Sequence, residues 1–480
     1  MKTPVLVGAA TAEQWPLEPG EGVGSEQLLC DAAIAAVADA GSGPKLPELV
    51  DLVLVTQGLS MLVDGAQRIA AAIGAPRART VTYQVGIPQQ TLISRAIGAV
   101  RSGEARAVVV AGAETKRRDD LARRAEITLD RAEPFAEPDE LVVPEGEIVA
   151  RPEVETRAVM PVQQYALIDT ARRVANGWTL DEHRDDIASV WAGFNDVARS
   201  NPKAAFPAPM AAAEIREATD TNRMLAFPYN KWHNSQWAVD QAAAFVITSD
   251  LGAVASDIEP SKLVFPYVGL ESSLSLSLSR RVEMHRSPAM RVLGRAAEAH
   301  LGRALTSVEH VELYSCFPAA VRVQQAELGL DPAAPATITG GMAFAGGPFN
   351  NFVFQATVAM VERLRSDPGS LGMVTAVSGL LTKPGLAVWG TAAPARDVLT
   401  ADLVEEATSA TAVAPLDENP AGPGAVATYT VVGERIAAII DLDSGDRAVA
   451  VLDDPTAAAD ACRSEFVGTR VRVDGRAFTI

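Results

Sequence analysis

A strand–helix–strand order that occurs twice constrains this chain more than any other feature, because its strands are too apolar to leave a wet face. In the first half, DLVLVT at 51–56 and RAVVVA at 106–111 show little apolar–polar alternation. Strands of this kind fit a sheet covered on both faces. PVLVGAAT at 4–11 reads as a further buried strand, followed by an Ala-rich helix over about 26–40 with Ser25 as N-cap and Gly41 as stop. A later segment pauses at Gly86-Ile87-Pro88 and continues as a helix to about Val100. In the second half a strand at 263–272 precedes a helix over about 289–301 and a strand at 308–314. A Gly-rich turn from Gly340 to Pro348 then opens a helix over about 349–364, and strands follow at 372–377 and 386–392. The order implies two similar α/β halves rather than an α/β enzyme without a repeat.

The sequence divides at changes of composition. Residues 1–116 and 234–258 make the first half, and 259–395 the second. A long insertion, 117–233, separates the parts of the first half. It begins with the acidic, Pro-rich EPFAEPDELVVPEGE and becomes helical, with a Thr179–Glu182 capping box opening a helix to about Ala198. Residues 396–424 are Ala-, Thr-, Pro- and Gly-rich and read as a linker. Residues 425–480 are short β-rich runs with a hairpin turn at Ser444-Gly445-Asp446, which predicts a small β-barrel-like domain or a hairpin extension.

The net charge of −18 sets nucleic acid aside as a partner. Apolar stretches are broken well short of the roughly 20 residues a membrane helix needs. The start, Met1-Lys2-Thr3-Pro4, lacks the apolar core of a signal peptide. Three cysteines without a CxxC, and five histidines without ligand spacing, argue against a disulfide framework and a metal site and point to a reducing cytoplasm.

Specific motifs then appear in a fixed order. The segment from Arg101 to Glu114, RSGEARAVVVAGAE, resembles the stretch that follows the nucleophile helix of thiolases, particularly their sterol-carrier-protein branch. HNSQWAVDQAAA from His233 resembles the thiolase Asn…Asn-Asp-Gly-Ala-Ala-Ala stretch, ELYSCF from Glu312 the branch's His-Asp-Cys-Phe motif, and Gly340–Pro348 the loop ending in Gly-His-Pro. The insertion resembles the thiolase loop domain. The resemblance covers about 1–392. It implies a duplicated five-layered αβαβα fold, coenzyme A or acyl-CoA as a non-covalent ligand, acyltransferase-related chemistry of lipid metabolism, and a homodimer, with the fused C-terminal domain leaving a monomer open.

The departures fall on the chemistry. By the resemblance, a nucleophilic cysteine stands at the N-terminus of a buried helix and a histidine in Gly-His-Pro activates it. Here Gly86 and Gly347 occupy those positions. A glycine forms no thioester and carries no proton, so an acyl-enzyme through Gly86 is closed. Cys316 matches the second-cysteine position, Tyr314 replaces the branch's histidine, and His233 precedes the Asn motif; these three are the candidate catalytic residues, each with a structural alternative. Gly86, Gly341, Gly346 and Gly347 are candidate cofactor-binding positions, since bare backbone amides at a helix start suit an anion or enolate. Pro88 and Pro348 suit the first helical position. Lys116, Arg117 and Arg118 suit phosphate or form a solvated face. Three functions stay open: an acyl-CoA-binding protein without thiolase turnover, a CoA-thioester aldolase or retro-aldolase using Tyr314, and a non-catalytic interaction scaffold.

Overall fold

The computed structural model describes residues 2–130 and 132–480. Two sheets form, buried as the strand composition demands. The first has six strands in the order Pro4–Gln14, Asp240–Ser249, Ala107–Thr115, Val50–Thr56, Arg79–Tyr83, Glu140–Val142. Every residue of Ala107–Thr115 and Asp240–Ser249 is buried. The second sheet runs His310–Glu312, Leu371–Ser378, Lys383–Gly390, Phe265–Glu271, Leu399–Asp402.

Helices Gln89–Ser102 and Phe352–Ser366 lie between the sheets and touch strands of both. Helices Ser25–Asp39 and Gly65–Ala72 cover the outer face of the first sheet, and Pro288–Leu301 the outer face of the second. The result is the five-layered αβαβα arrangement. Close approach sets residue size at the layer boundary: a β-carbon on Gly385 would fall 2.4 Å from Cβ of Gln90. Only glycine lets strand Lys383–Gly390 lie this near the middle helix.

Four expectations need correction. Ser25 is not the N-cap of its helix; Gly24 holds that place and Ser25 is the buried first residue. Pro348 does not open a helix, because a turn intervenes and the helix starts at Phe352 after Asn351. Residues 396–424 are more than a tether. Leu399–Asp402 adds a parallel strand beside Phe265–Glu271, and helix Val404–Ala410 packs on Pro288–Leu301. Sparse apolar anchors, buried Val398 and Ala407, hold this stretch despite its loop-like composition. The C-terminal domain is a closed barrel whose first strand, Ala421–Val432, begins before residue 425.

The barrel is built against the inserted region. Thr428 Oγ1 donates to the Leu167 carbonyl at 2.6 Å, and the Phe227 amide donates to the Val431 carbonyl at 2.9 Å. The Phe227 ring stacks on Tyr429 at 5.9 Å, and Arg173 grips Glu465 through two bonds of 2.6 and 2.8 Å. The barrel thereby braces helix Pro161–Ala175 from outside. Truncating Phe227, 6% exposed, removes the main apolar wedge between the two parts. Phe227→Ala is expected to cost about 3 kcal/mol in chemical denaturation, within the range for a buried aromatic. A loss below about 1 kcal/mol would mean that the barrel is tethered rather than docked.

Candidate functional site

The two halves turn their strand ends toward one region. Gly86 follows Arg79–Tyr83, Tyr314 and Cys316 follow His310–Glu312, and Gly379 follows Leu371–Ser378. The carboxyl ends of parallel strands are where α/β sheets place ligands. The expected residues are therefore gathered from distant parts of the chain, but not as a thiolase centre.

At the nucleophile position the backbone of Gly86 has φ +104°, left-handed and suited to glycine. A β-carbon there would lie 3.1 Å from Cβ of Pro144. Pro144 belongs to residues 143–147, an exposed strap anchored by the Gln84 amide, which donates to the Val142 carbonyl at 2.9 Å. The strap lies against the position that the resemblance gives to the nucleophile.

At the histidine position the space is also filled. A β-carbon on Gly347 would fall 1.8 Å from Ser235 Oγ. The Gly347 amide donates to the Gln236 carbonyl and the Ser235 amide to the Cys316 carbonyl, both at 3.0 Å. The Gly347 N–H is thus engaged and does not face a ligand. Gly341 and Gly346 are likewise closely packed. Their β-carbons would meet Phe194 Cδ1 at 2.3 Å and Gln241 Oε1 at 2.5 Å.

His233 lies apart from this chemistry. Its Nδ1 accepts from the Asn230 amide at 3.0 Å and its Nε2 faces the Ile215 carbonyl at 2.8 Å, so both ring nitrogens are occupied in the neutral form. Burial lowers its pKa to about 4. The ring pins the Asn motif to the inserted region.

Cys316 is buried and keeps an environment with polar neighbours. Burial pushes its thiol up to about 12, and the Tyr165 hydroxyl stands against the sulfur and opposes that rise. Tyr165 comes from helix Pro161–Ala175, where its ring stacks on Phe317 at 4.5 Å. Burial raises the phenols of Tyr165 and Tyr314 above their ordinary range. The Tyr314 ring meets Phe352 edge-on at 5.9 Å. Behind the cluster Arg281, 2% exposed, donates to the Leu380 carbonyl at 2.6 Å and to the Gly379 carbonyl at 3.3 Å, and burial lowers its pKa to about 10. Leu380 and Leu381 hold left-handed backbones, φ 55° and 77°, uncommon strain of the kind found at ligand sites. Tyr165, Ser235 and Pro144 carried no signal in the sequence; only the fold brings them here.

The basic run faces inward. Arg117 lies 3.9 Å over Trp15, Arg118 Nε donates to the Gly22 carbonyl, and Lys116 pairs with Asp120 at 2.8 Å beneath Trp237. Open volume lies elsewhere, including a hollow of about 640 Å³ beside helix Gly65–Ala72 and residues 135–139. Two adjoining hollows of about 290 and 320 Å³ share Glu13, Pro202, Lys203 and Gln241; the first runs between the loop after helix Leu180–Ala198 and helix Phe352–Ser366, and the second between that loop and residues 13–15. Phe352 lines the cleft on one side and touches Tyr314 on the other. Arg363 stands exposed on its rim, with no carboxylate in ion-pair reach among the described residues.

Comparison with known proteins gives the frame. No protein-family model and no curated protein matches the sequence. Solved structures do match. A monomeric SCP2-thiolase like protein type 1 from Mycobacterium smegmatis is 25% identical, with a TM-score of 0.86 over 100% of this chain and 99% of that one. An Ltp2-ChsH2(DUF35) aldolase is 19% identical, with a TM-score of 0.59 over 81% of this chain and 98% of that one. The human mitochondrial 3-ketoacyl-CoA thiolase is 16% identical, with a TM-score of 0.57 over the same shares.

The state of His233 has a measurable consequence. Its folded pKa lies below the unfolded value of 6.5, so its contribution is full above pH 6.5 and is lost as pH falls toward 4. The stability gap between wild type and His233→Asn should narrow by about 2 kcal/mol from pH 7 to pH 5. Urea titrations at the two pH values measure it. A gap that is constant or widens at pH 5 would mean that the imidazole is charged in the fold.

Proposed function

The chain is a thiolase-like protein, and on that premise we propose that it binds an acyl-CoA-type thioester without forming an acyl-enzyme. The observation that carries this reading is the coexistence of an open cleft with a filled centre. Pro144 and Ser235 stand where the resemblance puts a thiol and an imidazole, while the open cleft is lined by Phe352, whose ring also meets Tyr314.

The cleft's chemistry suits such a ligand. Arg363 offers a cation to a phosphate at the mouth, the role its side chain fills in phosphate recognition, and Lys203 stands beside it paired with Glu362 at 2.8 Å. Asn201, Gln241 and Thr339 supply polar contacts along it, and Phe352 an apolar floor. Cys316 does not replace the lost nucleophile. With its pKa near 12 it is a neutral thiol, and no histidine stands against it as base. The same argument weighs against retro-aldol chemistry, because phenols raised by burial donate hydrogen bonds but do not abstract protons near neutral pH.

In this reading the protein handles acyl thioesters of lipid metabolism in the cytoplasm. It acts as a monomer, like the monomeric Mycobacterium smegmatis protein that it resembles. The first sheet ends on one side in the three-residue strand Glu140–Val142, which pairs along Arg79–Tyr83, and on the other side Leu6 bonds to Val264. A very short edge strand offers little template for strand pairing between copies.

Calorimetric titration with coenzyme A and with acetyl-CoA tests the proposal. Saturable binding is expected, weakened at least about tenfold (~1.4 kcal/mol) in Arg363→Glu, which reverses a rim charge. Absence of heat and of any thermal-shift response with both ligands would overturn it.

A further inference from the structure

Lys383 is out of keeping with the other lysines. The chain has seven. Lys45, Lys116, Lys203 and Lys262 pair with carboxylates, and Lys231 lies exposed over Trp232. Lys2 is half-buried near the N-terminus. Lys383 is 5% exposed, and among the described residues no carboxylate stands within ion-pair distance of its ammonium. Its one hydrogen bond is long, 3.4 Å from Nζ to the Glu145 carbonyl. Burial lowers its pKa, with no neighbouring charge acting against that shift. A buried ammonium without an anion is costly, and a site that tolerates one is suited to receive its partner from outside.

The single acceptor shows where that partner would sit. The Glu145 carbonyl accepts from Lys383 Nζ and from Ser275 Oγ, the second at 3.2 Å. Two donors from separate elements therefore converge on one oxygen. That oxygen belongs to the exposed strap 143–147, whose Pro144 also covers Gly86. Lys383 pairs in register with Ser378, so it lies at the same end of the second sheet as Tyr314 and Cys316.

We propose that Lys383 and Ser275 form a receptor for a carboxylate, with an oxygen of the ligand replacing the Glu145 carbonyl, and that the preferred ligand is the coenzyme A thioester of a dicarboxylic acid. This rests on the acyl-thioester reading above and adds the acyl class to it. No covalent step is involved; the strap gives up one carbonyl contact and a charge-assisted pair takes its place.

Succinyl-CoA and butyryl-CoA, which share a four-carbon acyl chain and differ in a terminal carboxylate, make the test. Calorimetric titration of the full chain should show succinyl-CoA binding about tenfold tighter or more, the size of a hydrogen-bonded charge contact. The ratio should fall to about one in Lys383→Met, fall partway in Ser275→Ala, and persist in Lys383→Arg. Ser275 is half-buried on a loop, so its variant keeps the test valid if Lys383→Met fails to fold. Equal binding of the two thioesters by wild type would overturn this inference and leave the acyl-thioester reading standing. Binding of neither would overturn both. An undiminished preference in the Lys383→Met and Ser275→Ala proteins would also overturn it.

Discussion

One hydrogen bond joins the parts on which the molecule depends. Helices Gln89–Ser102 and Phe352–Ser366 are sandwiched between two sheets, where their N-terminal amides have no water to meet. The side chain of Gln89, the first residue of one helix, accepts from the amide of Val353, near the start of the other, at 2.8 Å. Gln89 is 6% exposed, so loss of that acceptor would leave a buried donor unmatched. This tie brings the two helix starts together at the centre of the five layers. The residues on either side of them, Gly86 in one half and Gly347 to Asn351 in the other, are consequently placed by packing before any question of chemistry arises.

That placement explains why the absence of two side chains has not left a hole. Removing a cysteine and a histidine from a packed interior would create cavities whose cost rises with their volume. Here Pro144 comes down over Gly86 and Ser235 fills the space at Gly347. The two replacements come from different segments and are held by their own backbone bonds, Gln84 to Val142 on one side and Ser235 to Cys316 on the other. The barrel adds to the same end. It braces helix Pro161–Ala175, which carries Tyr165 to Cys316, and the Arg447 guanidinium reaches the Arg281 carbonyl. At this end of the molecule a thiol and two phenols are held neutral by burial.

The architecture was legible from residues that report their own surroundings. RAVVVA and DLVLVT are apolar because both faces of their sheet are covered, and the strands form where that composition places them. The Thr179 box opens its helix, with the Glu182 amide donating to Thr179 Oγ1 at 3.2 Å. Residues 396–424 misled because a few anchors such as Val398 outweigh a loop-like composition. Within the candidate site, the motifs single out Gly347 and Cys316, and the fold links them through Gln236 and Ser235. What fills the glycine positions was not legible: Pro144 looks like part of an acidic loop, Ser235 like one more polar residue, and Tyr165 like an ordinary aromatic on an amphipathic helix. Their roles are contacts between segments distant in sequence, which neither periodicity nor composition records. His233 shows the converse, since a histidine beside a family motif proves to bond Asn230 and Ile215.

On the proposed reading, the position that the resemblance gives to the nucleophile is closed and no neighbouring side chain takes over its covalent role. Intact-protein mass spectrometry after prolonged incubation with acetyl-CoA and with acetoacetyl-CoA measures this most directly. An unchanged protein mass is expected, with Cys316 still open to alkylation once the protein is unfolded. An acyl adduct on Cys316, or on any residue lining the region between Gly86 and Gly347, would contradict it.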